Sequence, residues 1–171
     1  SDGTASLEIG SGMIVGAIAA VNAFGDVIDP ASGKIIAGAR SIRIGSGALN
    51  IGAADYFADT MEIMKTLVGR AILDFSAREH TVIGVVATNA KLNKEQINKV
   101  AQMAQDGLSR TVRPAHTMLD GDTIFALATG DKKADVNIVG AFAAEVFAQA
   151  ILRGVRAARP AGGLPSIESF S

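Results

Sequence analysis

Residues 81–90 read TVIGVVATNA and residues 120–129 read DGDTIFALAT. The first stretch is dense in β-branched side chains and predicts a buried strand over Thr81–Thr88. The second predicts another strand over Thr123–Thr129. Between them, Asn93 is suited to N-cap a helix, with Gln96 three residues on as in a capping box. Ile97, Val100, Ala101, Ala104 and Leu108 then recur at the helical period. Val136–Ala158 reads as a long helix with Val139, Phe142, Val146, Ala150 and Val155 turned inward. Near-continuous apolar strands alternating with helices predict a mixed α/β fold whose sheet is covered on both faces.

Upstream, Ser6–Ile9 reads as a short strand and Met13–Val21 as a buried one. Asp29-Pro30-Ala31-Ser32-Gly33 is turn chemistry, because Pro presets φ and Gly admits φ > 0. Lys34–Ala37 returns as a second strand, so these segments are expected to form a hairpin or a closely connected pair. The Gly- and Ser-rich stretch from Ala39 to Ala54 reads as loop. Ala53–Leu73 has helical spacing through Phe57, Met61, Met64, Leu67 and Val68. Asp74–His80 is polar and is the best candidate for an exposed linker or a cut site. Arg110–Asp120 reads as a loop broken by Pro114. The tail, residues 159–171, carries two of the four prolines and is expected to be flexible.

The 171 residues are enough for one core, and one domain is the default. Hydrophobic residues make up 49% and charged ones 19%, with 19 glycines, no Trp, one Tyr and seven Phe. Such a chain packs Ala, Val, Ile and Leu with backbones close together, as an interior piece of a larger assembly does. A net charge of −1 gives no electrostatic reason to expect nucleic acid or an anionic membrane as partner. With no Cys, disulfides, thiolate metal sites and a thiol nucleophile are excluded, which fits a reducing, cytoplasmic setting. No segment reads as long and apolar enough to span a bilayer, since Asn22 and Asp26 interrupt the best run, Met13–Phe24.

Few residues suggest chemistry on their own. Gly33-Lys34 fails as a phosphate-binding loop, because positions 28 and 35 are both Ile. Asp120-Gly121-Asp122 offers two carboxylates; in an extended segment they share a face and repel, and something cationic usually sits between them. A solvated turn before a strand is the blander reading of the same residues. His80 and His116, the two histidines, lack metal-ligand spacing, and no Gly-x-Ser-x-Gly elbow is present. Thr81 follows a polar stretch and opens a buried strand, which by itself marks only a good β residue.

The wider pattern changes that weighting. TVIGVVATNA, a helix, and RPAHTMLDGDTIFALATG resemble the nucleophile-bearing segment of the P1 peptidase family. This family includes the L-aminopeptidase/D-amidase/esterase type and the nylon-oligomer hydrolases. GTASLEIGSGMIVGAIAAVNAFGDVIDPASGKIIAGAR is similar to the same family's upstream segment. The resemblance runs over most of residues 3–158, is weakest over 41–75, and points to the nylon-hydrolase-like branch with a Thr nucleophile. It implies a layered α-β-β-α sandwich, one domain in which residues 1–80 end a large subunit and 81–171 form a small one. It implies self-cleavage at His80–Thr81, with Thr81 as nucleophile and its freed amine as base. Asn22 matches the Asn that helps hold the nucleophile or the oxyanion, and Asp120 and Asp122 match the acidic pair that orients the Thr81 amine. His80 departs from the Asn usual before the nucleophile in that branch.

The implied reaction is hydrolysis of small amides: short peptides, amino-acid amides or esters, or linear amide oligomers. No cofactor or metal is implied. An acyltransferase of the ornithine acetyltransferase type and an unprocessed, non-catalytic scaffold subunit are the alternative expectations. The family chain is about twice as long, and its amino-terminal half, with a Lys near the nucleophile, is outside this sequence. Either that half is a separate chain, an obligate partner, or this sequence is a fragment without it; the resemblance also implies a homo-oligomer, tetrameric or larger.

Overall fold

The computed structural model describes residues 1–40, 42–44, 49–51, 57–66 and 80–170. Its strands are β1 (Asp2–Glu8), β2 (Ile14–Asn22), β3 (Asp26–Ile28), β4 (Ile35–Ala37), β5 (Ile42–Ile44), β6 (Leu49–Ile51), β7 (Thr81–Ala90), β8 (Val112–Arg113) and β9 (Thr123–Lys132). Its helices are α1 (Thr60–Met64), α2 (Lys94–Thr111) and α3 (Val136–Ala157), with a 3₁₀ turn at Ile167–Phe170.

The frame is a four-stranded sheet in the order β1-β2-β7-β9. β1 and β2 are antiparallel, β2 and β7 are antiparallel, and β7 and β9 are parallel. A parallel pair needs a crossover, and α2 supplies it. The expected capping box starts that helix: Asn93 Oδ1 accepts from the Gln96 N–H, and Gln96 Oε1 accepts from the Asn93 N–H. Asp135 caps α3 in a similar way, accepting from the Asn137 and Ile138 N–H groups.

Both long helices lie on one face of this sheet, with α3 against β1 and β2 and α2 beside α3 and against β9. The core between them holds Val15, Val82, Val86, Val100, Leu108, Val139, Val146, Phe147 and Ile151, all buried. Small residues set the spacing. A Cβ on Gly84 would run into the Phe147 ring, so the glycine is the socket for that side chain. A Cβ on Gly3 would meet the α3 backbone at Ala150 and Gly154.

Among the described residues the other face of the sheet is open. Burial along β2 and β7 alternates, and Ile14, Ile18, Ile83, Phe125 and Leu127 remain between 47% and 58% exposed. Among the described residues the expectation of a sheet covered on both faces therefore holds for one face only. The physical reason is that its two long helices are packed side by side on the same layer.

Smaller elements depart from expectation as well. β4 pairs with β3 and not with β2, in a second sheet ordered β4-β3-β8. The turn between β3 and β4 is built as expected, with the Gly33 N–H donating to the Asp29 carbonyl and Gly33 at φ 69°. β1 is longer than Ser6–Ile9. The stretch expected as loop over 39–54 contains the antiparallel pair β5–β6. Of the helix expected over 53–73 the structure has α1; residues 52–56 and 67–79 are outside the described residues, and with them the linker except for His80. The tail forms an Ala161–Leu164 bridge and the 3₁₀ turn. By length and composition α3 is apolar enough to cross a membrane, which corrects the sequence expectation; its buried side is the core's own wall.

Candidate active site

Thr81 is the first residue of β7, and across the antiparallel pair its partner is Asn22, the last residue of β2. Directly opposed residues share a face, and so do residues two apart along a strand. Ile83, two positions on, is exposed on the open face. Thr81 and Asn22 therefore both issue onto that face, at one end of the sheet. Two sequence segments far apart in the chain are joined there by strand register alone.

The parallel strand β9 brings the acidic segment to the same end. Asp120 bridges His80, the Gly121 N–H donates to the His80 carbonyl at 3.2 Å, and the Val82 N–H donates to Asp122 Oδ1 at 2.6 Å. The Thr81 hydroxyl donates to the His80 carbonyl oxygen at 2.6 Å. That oxygen thus accepts from both the threonine hydroxyl and the glycine amide. The His80 ring meets Phe24 edge to face, with centroids 5.4 Å apart.

The two carboxylates are occupied differently. Asp120 Oδ2 accepts from the Thr117 N–H at 2.9 Å and the Thr117 hydroxyl at 2.7 Å, closing a turn whose Asp120 N–H returns to the Thr117 carbonyl. Asp122 is half-buried against the Val82 N–H, next in the chain to Thr81. Burial pushes its carboxyl above the usual range, the Val82 N–H pulls it down, Asp120 pushes it up and His116 pulls it down. Separate neutral donors hold the two carboxylates. His116 sits exposed in the preceding loop at φ 58°.

Thr81, Asn22, His80, Asp120 and Asp122 are thus gathered at one end of one sheet. Gly121 joins them, and sequence reading passed over it as a spacer between two acids. Its signal was its place in the register: a glycine just before a strand parallel to the one that Thr81 opens. A second residue missed is Asp26, fully buried, which accepts from the Thr60 N–H, the Thr60 hydroxyl and the Ala39 N–H. Among the described residues no three His, Asp or Glu side chains converge as a metal site.

Chemically, the arrangement offers a hydroxyl touching a peptide carbonyl, an amide donor on the same oxygen and a carboxylate one residue away. Residues 2–166 match the model of peptidase family S58. An uncharacterized aminopeptidase of Mycobacterium tuberculosis is 39% identical over 179 residues, covering 96% of this chain and 50% of that protein. A 6-aminohexanoate-oligomer endohydrolase of Kocuria sp. is 28% identical over 90 residues, 45% of this chain and 25% of that one. Among solved structures, the L-aminopeptidase D-Ala-esterase/amidase of Ochrobactrum anthropi, described as a variant among the Ntn hydrolase fold, aligns with a TM-score of 0.56. That alignment has 19% identity and covers 96% of this chain and 42% of the other, and it establishes the α/β fold. The chain spans about half the length of the curated relatives it matches most fully. The resemblance drawn from residues 3–158 holds, and the chain belongs to peptidase family S58.

Proposed function

We propose that this chain carries the nucleophile half of a self-processing amidohydrolase that cuts its own His80–Thr81 bond and then hydrolyses small amides through an ester on Thr81. The observation that carries this reading is the Thr81 hydroxyl seated 2.6 Å from the carbonyl oxygen of the residue before it. The hydroxyl is thus already within hydrogen-bond reach of the group it would attack.

A hydroxyl is a weak nucleophile at neutral pH and needs a base. Cleavage frees the Thr81 α-amino group, whose reference pKa of about 7.7–8.0 suits that task. Nucleophile and base then come from one residue, as in N-terminal threonine variants of the catalytic triad. Asn22, paired with Thr81, is placed to hold the nucleophile or the developing oxyanion. Asp122 orients the new amine, and Asp120 shapes the turn that delivers Asp122. Substrates in this reading are short peptides, amino-acid amides or esters, or linear amide oligomers. The rest of a chain of the relatives' length completes the site from the open face, and the working form is a homo-oligomer, tetrameric or larger.

The test is Thr81→Ala in the complete protein. Intact mass should show a new amino terminus at Thr81 in the parent and none in the variant. Turnover of an amino-acid amide should disappear while the melting temperature is kept. Turnover that survives the substitution would rule Thr81 out as nucleophile.

A further inference from the structure

We infer that Gly121 is a catalytic residue: its N–H holds the carbonyl oxygen of whichever acyl group Thr81 attacks, first that of His80 and then that of the substrate, and its bare Cα leaves room for the attacking hydroxyl. This rests on the self-processing reading above.

Three observations meet at this residue. Its N–H donates to the His80 carbonyl at 3.2 Å. A Cβ built on it would come 2.9 Å from Thr81 Oγ1 and 3.8 Å from the His80 carbonyl oxygen, while the next atom, Thr81 Cβ, is 3.9 Å away. Its φ is outside the left-handed region, so backbone conformation does not call for glycine here. The residue is exposed, so close packing does not call for glycine either. What a side chain would meet first is the pair of reacting groups.

The chemistry explains why that donor matters. As Thr81 Oγ1 bonds to the His80 carbonyl carbon, negative charge moves onto the carbonyl oxygen. The hydroxyl proton passes to the Thr81 nitrogen as the C–N bond breaks, leaving an ester and a free amine. Water then opens the ester to a His80 carboxylate and the restored hydroxyl. Before attack both the hydroxyl and the Gly121 N–H donate to the carbonyl oxygen. The hydroxyl gives up its hydrogen bond when it becomes the attacking atom. The Gly121 N–H remains, at the moment when the oxygen carries most charge.

The donor is also pre-positioned. Asp120 is tied to Thr117 on one side, and Asp122 is tied to the Val82 N–H on the other. A donor fixed before reaction spends nothing on reorganisation in the transition state. After cleavage the His80 carbonyl leaves, and the same N–H faces the place where a substrate carbonyl would sit against Thr81. The acidic pair therefore does more than orient an amine: it clamps the glycine between them.

The experiment uses the complete protein carrying Gly121→Pro, which removes the N–H, and Gly121→Ala, which keeps it and adds the methyl. Appearance of the Thr81 amino terminus is followed by intact mass, with and without hydroxylamine, which cuts esters but not amides. Turnover of alanine amide is measured on matured protein. Loss of one oxyanion donor typically lowers rate by about 100-fold or more, and that is expected for Gly121→Pro in both reactions. Gly121→Ala is expected to slow both by about tenfold or more, chiefly in kcat, because a displaced hydroxyl lowers the population of the attacking geometry. Hydroxylamine should restore neither, since the acyl shift itself is slowed.

With the parent cleaved, normal cleavage and kcat in a folded Gly121→Pro would overturn the donor role, and the same result in Gly121→Ala would overturn the role of the bare Cα; either leaves Thr81 standing. Rescue by hydroxylamine would overturn it too, by placing the block after the ester. If Gly121→Pro melts early, replacing the Asp120–Gly121 amide by an ester, which removes the same N–H and adds no side chain, decides the donor role by the same two rates, and Gly121→Ala decides the role of the bare Cα. A parent that is never cut at Thr81, with turnover retained by Thr81→Ala, would bring down the self-processing reading and this assignment with it.

Discussion

Asp122 is pulled in both directions, and the balance has consequences that pH can read. Burial is the largest influence and raises its carboxyl above the ordinary value; the Val82 N–H opposes it. In the proposed mature enzyme an ionised Asp122 beside the Thr81 amine favours the ammonium, which raises the pH below which that amine stops acting as base and turnover falls. Asp122→Asn keeps an oxygen for the Val82 N–H but loses the charge. It is expected to lower kcat about tenfold, within the range a positioned acid or base contributes, and to move the acid limb of turnover to lower pH. The stability sign runs the other way. A carboxyl with a raised folded-state pKa contributes stability that is complete below its unfolded pKa and is lost as pH rises through the folded value. Asp122→Asn should therefore fold at least as well at neutral pH, by thermal melting. An unchanged pH profile in the variant would remove Asp122 from the mechanism. At this scale the sequence offered Thr81, Asn22, Asp120 and Asp122 by resemblance. It could not say which carboxylate lies against β7, because that depends on which N–H groups strand register brings alongside.

Among the elements, those with strong local signals were readable and those held by long-range contacts were not. β7, α2, β9 and α3 announce themselves by β-branched density, a capping box and helical spacing. Asn93→Ala should cost about 1 kcal/mol in thermal unfolding, the usual loss for an N-cap. β3 and α1 are different. Three residues of strand and five of helix have almost no local signature. They are joined by Asp26, buried beneath Gly38 and accepting from Thr60 twice and from Ala39. In the sequence Asp26 is only a break in an apolar run. Burial raises its carboxyl despite those donors. Asp26→Ala strands three donors, two of them on a buried residue, and should cost about 3 kcal/mol or more, since each unsatisfied buried group costs about 1–3 kcal/mol. A loss below 1 kcal/mol, by denaturant titration, would mean that water replaces the carboxylate and the two elements are not joined through it.

For the whole molecule, the open face of the four-stranded sheet decides what the site is made of. Ile14, Ile18, Ile83, Phe125 and Leu127 form an apolar surface in continuity with Thr81 and Asn22. Contiguous apolar patches of this kind mark interaction surfaces or sites of aggregation. The strands read as buried on both sides in the sequence because apolar residues fill both parities; which layer covers the second side cannot be read from residues that belong to the first. The family relatives are about twice as long, and in the proposed complete protein a second β layer packs here and walls the cleft above Thr81. Phe125→Asp separates the possibilities. In the 171-residue chain alone the side chain is 58% exposed, so the change should leave the melting temperature within error. In the complete protein it would bury a charge and forfeit the burial of a phenyl ring, which alone is worth about 1.5–3 kcal/mol. The expected result is a large drop in melting temperature there, with self-cleavage slowed in proportion to the lost packing. If the complete protein tolerates Phe125→Asp as well as the chain alone does, this face is solvent-exposed in the working enzyme. The pocket above Thr81 must then be closed from another direction.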